Sequence, residues 1–533
     1  MHNIIKIKDK SFIFEITNYQ SMTAMGDRHP EILSVPPSPE LEKRLLRTKK
    51  RFLAGEPLPK KATAELLDLQ SFALIAHRPE HTRAHTLAAA PKAAPAVGTR
   101  RALVLLVDFR DNPSSQTADH FQEMLFSRGS YPTGSLSDYY EASYEQLSIL
   151  GDVCGWYKAP QPYSYYAGTR YGFGSYPNNA YKLVEDVVDL AAADVDFAQY
   201  DTDGDGEVDA LFIVHAGSGA EATGNTASIW SHMSSITPRQ KNGVKICRYS
   251  MEPEDGKVGV FCHELGHVFG LPDLYDYDMD SAGTGWWCLM AGGSWNNNGL
   301  TPAHPIAWCK IRLGWAKLMT ASVQQITLRP STDYPDIYRL GPTGQEYFLI
   351  ENRRRKGFDE YLPGEGLLVM HVDEARSNNN DQTHYLVGIQ QCDGRHDLER
   401  NANRGDAGDP YPSADNNAFS SDTDPGSRLY DGKESGVSLA NISRNGNVIT
   451  ADISVGAKSG ATWHEDQSIK LVFVRSSGEA AWALASTLGW RRVKKMSDGK
   501  VSEAYQLCCQ AVADDLRVRL LADGAYIYGA SLA

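Results

Sequence analysis

Runs of apolar residues separated by polar turns predict alternating strands and helices in the first part of the chain. Arg101–Phe109 is rich in Leu and Val and ends in a polar turn, which is typical of a buried strand. Asn178–Asp194 places Leu183, Val184 and Val187 on one face, which favours an amphipathic helix. The same reasoning predicts helices at 120–127, 135–149 and 301–315, and strands at 150–159, 210–217 and 244–253.

From about residue 320 the pattern changes to short strands with polar turns between them. This change predicts an α+β fold in which a mixed domain at 99–320 precedes a β-rich region at 321–456 and a small module at 457–533. Residues 1–98 differ, because a proline cluster precedes a basic helical stretch at 40–52 and an Ala/Pro-rich linker follows. Two interpretations of 1–98 stay open: an inhibitory pro-segment, or a poorly ordered extension.

Composition narrows the classes of function. A formal charge of −13 over 533 residues argues against nucleic acid as a partner. No apolar run approaches the ~20 residues of a membrane span, and charged residues interrupt the first twenty positions too often for a signal peptide. The eight Cys form no CxxC pair, so a thiolate zinc site is not expected. Cys262 and Cys288 are interpreted either as neighbours at one site or as separate buried thiols.

The stretch 261–277 carries the candidate chemistry, HExxHxxGxxD without gaps. On a helix, His263 and His267 share one face and can bind one zinc ion, while Glu264 can reach a metal-activated water as general base. Gly270 suits a left-handed helix end, after which the chain folds back and brings Asp273 in as a third ligand. The alternative, a buried pair of structural histidines, explains neither the Glu nor the Asp.

Several other residues are weaker candidates. Met290 lies in a Gly- and Trp-rich loop, and we expect it to form an apolar floor beneath the metal. Asp276 and Asp278 are alternatives for the third ligand. Isolated candidates elsewhere are interpreted as structural: His215, Glu351 and His371.

An Asp-rich turn follows the spacing D-x-D-x-D-G-x-x-D through Asp201, Asp203, Asp205 and Asp209. Carboxylates at alternate residues with Gly206 at the sharp turn predict a Ca²⁺ site, although the twelfth-position Glu of an EF-hand is missing. The alternative is a turn capped by its own side chains. A second Asp-rich loop, 392–409, is open to the same two interpretations through four acidic residues: Asp393, Asp397, Asp406 and Asp409.

These features resemble the immune inhibitor A family of metallopeptidases, within the metzincin-like zinc proteases. The resembling stretches lie between about 100 and 455 and include LVLLVDFRD, SDYYEASYEQLSILGDVCGWY, YDTDGDGEVDALFIVHAG, FCHELGHVFGLPDLYD, WWCLMAGGSWN, YFLIENRR and GEGLLVMHVDE. The resemblance implies a twisted mixed sheet with an active-site helix, zinc on His263, His267 and Asp273, Glu264 as base, and Met290 in a Met-turn. It also implies secretion and an N-terminal pro-segment. Gly292 stands where some metzincins have a Tyr, so no Tyr is assigned to oxyanion stabilisation.

The sequence therefore predicts a zinc endopeptidase that hydrolyses protein or peptide substrates, with Zn²⁺ and Ca²⁺ as its metal ions, and secretion is what the resemblance implies. An exposed strand, Ala210–Gly217 or a neighbour, is expected to pair with the extended substrate. Two other functions remain open. One is a catalytically inactive protein that binds a partner through its β-rich C-terminal modules, and the other is a zinc hydrolase that acts on a non-peptide amide.

Overall fold

The structure is a computed structural model that describes residues 4–7, 10–13, 32–59, 62, 66, 95–140, 143–321, 323–456, 462–474, 481–493, 503–522 and 526–532. Contacts divide the chain into two units. The first unit contains a six-stranded mixed sheet, its helices and a two-stranded pair, and the second contains two further sheets and a barrel. The predicted α+β class is confirmed.

The first unit is built on a sheet with the strand order β3-β7-β8-β6-β4-β5. Strands β4, β6 and β8 are parallel neighbours, whereas β7 is antiparallel to β8 and to β3. A separate pair near the start, β1 and β2, is antiparallel. The strands of the unit are β1 Ile4–Ile7, β2 Lys10–Ile13, β3 Leu33–Ser34, β4 Gly98–Asp108, β5 Leu147–Lys158, β6 Ala210–His215, β7 His232–Lys241 and β8 Val244–Pro253.

Helices cover both faces of this sheet, and the central strand β6 is therefore buried at all six positions. On one face, Leu211 and Ile213 of β6 share a core with Val187. On the other face, the Phe212 ring lies 5.9 Å from the Phe261 ring. The helices of the unit are α1 Pro39–Leu53, α2 Ala118–Phe126, α4 Tyr163–Ala167, α5 Ala180–Ala191, α6 Ala220–Thr223 and α7 Val258–Val268.

Residues 32–59, the N-terminal segment, pack on the rest of this first unit. Ser38 caps α1 by accepting a hydrogen bond from the amide of Leu41, and Pro39 occupies the first turn, where its missing N–H costs nothing. The Ser38 amide donates to the carbonyl of Glu221, and the Arg44 guanidinium donates to the carbonyl of Thr223. Helix α1 is thereby held against α6, at the position predicted for the basic helix.

The second unit contains two open sheets that share one apolar core. Five strands follow the order β14-β13-β12-β11-β9 and three follow β10-β16-β15. Its helices are α3 Leu136–Tyr140, α8 Ala307–Arg312 and α9 Glu503–Ala513. The strands of the two sheets are β9 Lys317–Thr320, β10 Val323–Leu328, β11 Asp336–Leu340, β12 Glu346–Arg353, β13 Gly366–Asp373, β14 Val387–Ile389, β15 Val437–Asn445 and β16 Val448–Val455.

The end of the chain forms a small closed barrel with the order β17-β18-β19-β21-β20. Helix α9 packs against β17 and β21, and a separate cluster of buried side chains fills this part. The barrel strands are β17 Thr462–Val474, β18 Ala481–Ala485, β19 Gly489–Val493, β20 Arg517–Ala522 and β21 Tyr526–Leu532. Among the described residues, no helix is long and apolar enough to cross a membrane.

Two predicted helices are much shorter than the sequence pattern indicates. The helix predicted at 135–149 ends at Tyr140, because Tyr144 and Glu145 adopt positive φ angles of 59° and 62° before β5 begins. The Tyr144 hydroxyl donates to the carbonyl of Ser331, a tertiary contact that local pattern cannot reveal. The helix predicted at 301–315 is confined to α8.

The cysteines are all unbridged. The Sγ atom of Cys288 lies 3.9 Å from that of Cys309, and both side chains are buried. Cys288 therefore has Cys309 as a thiol neighbour, and Cys262 and Cys288 are both buried free thiols.

Candidate metal centre

Helix α7 presents the predicted motif in a fully buried setting. Every residue from Val258 to Val268 is buried, and the helix packs against strands β3, β7 and β8. The helix stops where expected, with Gly270 at a φ of +86°. A residue with a Cβ is strained in this left-handed region, so glycine is favoured here.

His263 and His267 point their rings at a common position. Their Nε2 atoms are 3.0 Å apart and their rings are nearly perpendicular. Two nitrogens that each lie ~2.0–2.1 Å from a tetrahedral zinc ion would be about 3.3 Å apart. Two converging ring nitrogens at this spacing therefore fit a zinc ion.

Asp273 supplies an oxygen to the same group within the continuous stretch 263–273. One ligand atom from each of His263, His267 and Asp273 lies within 4.8 Å of the others, and all three residues are buried. The Tyr277 hydroxyl donates a 3.2 Å hydrogen bond to Oδ2 of Asp273. Such outer hydrogen bonds orient a ligating carboxylate. Tyr277 was not singled out in the sequence, although its place four residues after Asp273 is a usable signal.

The alternative ligand Asp276 is engaged in its own turn. Its carboxylate accepts hydrogen bonds from the amides of Asp278 and Ser281 and from the Ser281 hydroxyl. Burial, followed by the nearby charge of Asp278, raises the pKa of Asp276 to about 7. Asp276 is thus committed to holding the loop that follows Asp273.

Met290 contacts the site region through its backbone. Its carbonyl accepts a 2.8 Å hydrogen bond from the amide of Leu274, the residue directly after Asp273. The side chain is fully buried. The turn around Met290 thereby fixes the segment that carries the third candidate ligand, and its role as a floor beneath a metal stays a prediction.

Residues of the N-terminal segment lie at the same position. The carbonyl oxygen of Ser34 is 3.3 Å from Nε2 of His263, and the amide of Val35 donates a 2.8 Å hydrogen bond to Oε1 of Glu264. The Trp230 indole N–H donates to the carbonyl of Val35 at 2.9 Å. Ser34, Val35 and Trp230 were not singled out in the sequence, because no local pattern reports contacts between residues 195 or 229 positions apart.

Strand β7 pairs with Leu33 and Ser34 of the N-terminal segment. The predicted strand around 210–217 is central in the sheet, between β8 and β4, so it has no free edge. Strand β7 was not recognised in the sequence, because Ser234, Ser235 and Pro238 interrupt its apolar alternation. Strand β6 is therefore not the exposed strand that was expected, and pairing of a substrate with a nearby strand stays a prediction.

The Asp-rich turn before β6 gathers three of its four predicted carboxylates. Ligand atoms of Asp201, Asp203 and Asp205 lie within 4.8 Å of one another. Asp209 lies outside this group, and its Oδ2 accepts hydrogen bonds from the Thr202 side chain and backbone. Burial raises the pKa of Asp209.

Backbone amides already cap this turn. Asp201 accepts hydrogen bonds from the amides of Gly204 and Gly206, and Asp205 accepts one from Glu207. The turn thus combines both predicted features, carboxylates near one another and self-capping. A bound calcium ion stays a prediction.

The second Asp-rich loop is tied to the protein interior. Oδ2 of Asp409 accepts hydrogen bonds from the Trp287 indole N–H and from the amide of Asp406. Asp397 accepts a hydrogen bond from Asn403. Burial raises the pKa of Asp409 to about 7, so near neutral pH it is partly protonated. These bonds describe a structural loop, and Asp393 lies against its backbone at Gly408.

The isolated candidates all have contacts of a structural kind. Nδ1 of His215 lies 2.9 Å from the carbonyl of Ala216. Glu351 accepts hydrogen bonds from the Ala307 amide and the Ser331 hydroxyl. His371 contacts Glu346 through Nε2 at 2.9 Å and stacks on a tyrosine ring.

A buried acid of the first unit was missed from the sequence. Glu221 is 2% exposed, and its carboxylate accepts hydrogen bonds from the Ser231 amide and hydroxyl. Burial raises its pKa to about 7. The carbonyl of the same residue receives the Ser38 amide, so Glu221 lies beneath the docked N-terminal segment.

Known proteins match the part of the chain that contains this site. The family model described as "Immune inhibitor A peptidase M6, catalytic domain" matches residues 92–316. The pre-pro-metalloprotease PrtV of Vibrio cholerae serotype O1 is 32% identical over 271 residues, covering 40% of this chain and 29% of PrtV. Immune inhibitor A of Bacillus thuringiensis subsp. alesti is 31% identical over 259 residues, covering 38% of each protein.

The chain thus spans about a third of the length of these curated relatives. The resemblance predicted from the sequence is confirmed over the matched segment, which contains the HExxHxxGxxD stretch.

Proposed function

We propose that this protein is a zinc-dependent endopeptidase whose catalytic region lies within 92–316. The observation that carries the proposal is the buried group of His263, His267 and Asp273, whose ligand atoms lie within 4.8 Å of one another. A nitrogen–nitrogen–oxygen set is the donor chemistry of catalytic zinc sites. The match to a metallopeptidase family supports the same conclusion.

Each residue has a role that follows from its position. His263, His267 and Asp273 would hold the metal, and zinc supplies a Lewis acid that polarises a carbonyl and acidifies water. Glu264 follows the first ligand on α7 and acts as general base, taking a proton from the attacking water and delivering it to the leaving amine. Tyr277 orients Asp273 through its hydrogen bond.

The N-terminal segment is proposed to keep the protein latent. Ser34 and Val35 contact His263 and Glu264, so an incoming peptide cannot reach either side chain while the segment is docked. Helix α1 and its contacts with α6 anchor the segment. Calcium in the turn at 201–205 and secretion of the protein are further parts of the proposal, the first supported by the three neighbouring carboxylates.

The test uses the full chain with a protease site engineered into 67–94. After folding, the chain is cut at that site and the N-terminal fragment is separated on a column. The cut protein is expected to cleave unfolded casein, to lose this activity in a zinc chelator, and to regain it when zinc returns. Cleavage that persists without metal would contradict the zinc mechanism. Equal activity of cut and uncut protein would contradict latency.

A further inference from the structure

The N-terminal segment enters the site as an added strand. Leu33 and Ser34 pair antiparallel with Met233 and His232 of β7, which would otherwise be the edge of the six-stranded sheet. An extended peptide commonly binds a protein by extending a sheet in this way, with backbone hydrogen bonds for affinity and side-chain pockets for specificity. The pairing fixes both the direction and the register of the segment.

The peptide unit between Ser34 and Val35 occupies the position where chemistry would occur. Its carbonyl oxygen lies 3.3 Å from Nε2 of His263, at the candidate zinc ligands. Its N–H donates to Oε1 of Glu264 at 2.8 Å. A carbonyl at the metal ligands and an amide at the general base describe the two halves of a bond that is to be hydrolysed.

We infer that residues 32–36 bind in the register of a substrate, with Ser34 before and Val35 after the scissile position. This inference rests on the proposed endopeptidase function and names its substrate class. The substrates are extended protein segments with a small uncharged residue before the cleaved bond and an aliphatic residue after it. The residues of the segment therefore show which substrate residues the cleft accepts.

Burial is the physical basis of this selectivity. The Val35 side chain is 0% exposed and Ser34 is 1% exposed, so both lie in closed surroundings. A charged side chain in the place of Val35 would lose its hydration without an assigned partner, which strongly disfavours binding. Ile32 is also buried, and we expect an apolar residue two positions before Ser34 to be favoured.

Trp230 positions the peptide on the C-terminal side of the scissile bond. Its indole N–H donates to the carbonyl of Val35 at 2.9 Å, and its side chain is 1% exposed. The indole ring lies edge-on to Tyr171, which fixes its orientation. Trp230 is thus a positioning residue, which acts on the substrate backbone and not on the reacting atoms.

Direct binding gives a readout that does not depend on activity. A fluorescein-labelled peptide with the sequence of residues 29–38 is titrated into zinc-loaded, cut protein carrying Glu264→Gln, and anisotropy is measured. Val35→Asp in the peptide is expected to weaken binding at least tenfold, whereas the control Ser38→Ala changes it less than twofold. Equal binding of the Val35→Asp peptide would overturn the register.

Cleavage preference is the second measurement, made on a peptide library with the cut wild-type protein. Val, Ile and Leu are expected after the cleaved bond at a frequency at least tenfold above Asp, Glu, Lys and Arg. Trp230→Phe should lower kcat/KM roughly 3- to 10-fold, mainly through KM, as expected for one lost hydrogen bond. Acceptance of charged and aliphatic residues alike would contradict the inference.

The two proposals fail in different ways. Casein cleavage without the aliphatic preference would contradict the proposed substrate register but not the proposed endopeptidase function. Peptide binding in the expected register without cleavage of casein or of the library would contradict the proposed endopeptidase function but not the proposed binding register.

Discussion

The Tyr277 hydroxyl donates a 3.2 Å hydrogen bond to Oδ2 of Asp273. This bond links a candidate metal ligand to the loop that follows it, and the backbone of Met290 holds the adjacent Leu274 in place. The third ligand position is therefore supported from two directions, by a side chain and by a backbone contact.

Substitutions at Asp273 and Tyr277 should distinguish a metal ligand from a residue that only orients the ligand. Asp273→Ala should lower zinc affinity by roughly 100-fold or more, and Tyr277→Phe by roughly 10-fold, because the second change removes only an orienting bond. Zinc per chain is measured after dialysis against graded free zinc. Asp276→Asn is the matched control, and a loss of zinc in that variant as large as in Asp273→Ala would contradict the assignment.

Glu264→Gln tests the general base. The change keeps the size of the side chain and removes its ability to take a proton, so casein cleavage by the cut protein should fall about 10²- to 10⁴-fold. Zinc content and melting temperature are measured beside the rate and should remain near those of the wild type. Wild-type turnover in this variant would show that another group serves as base.

Calcium should stabilise the turn at 201–205. Asp205→Ala and EGTA are each expected to lower the melting temperature by about 2–4 °C, and EGTA should add nothing to the variant. Asp205 is the better site for this test, because Asp203 also pairs with Arg100 at 3.2 Å. If calorimetry finds the melting temperature insensitive to both treatments, the turn is held by its own hydrogen bonds.

Glu221 should make stability depend on pH. Burial raises its folded-state pKa from 4.5 to about 7, so its neutral form is favoured in the fold. Its contribution to stability is complete below pH 4.5 and is lost as pH rises through 7, by roughly 3 kcal/mol in all. Glu221→Gln should remove this loss, and its melting temperature relative to wild type should rise from pH 5 to pH 8. A constant difference would show that Glu221 is ionised throughout.

The candidate metal group was predictable from sequence because its members are close along the chain. His263, Glu264 and His267 share one helical turn and Gly270 ends the helix, so helical geometry alone brings them together. The buried strand β6 was predictable for a similar reason, since an uninterrupted apolar run has few alternatives.

What could not be predicted depends on distant partners. Strand β7 has weak alternation of its own and is defined by its pairing with β8. The contact of Val35 with Glu264 joins residues 229 positions apart, and the sequence carries no local sign of it. The helix predicted to continue beyond Tyr140 gives way because Tyr144 binds the backbone at Ser331.

The two-residue strand β3 also has a consequence for the released enzyme. It covers part of β7, whose outward N–H and C=O groups become a bare sheet edge when the segment leaves. Such edges recruit strands from any chain, including a second copy of the same protein. Release of the segment would therefore make the protein prone to self-association at high concentration. The docked segment would suppress this aggregation by covering the edge of β7.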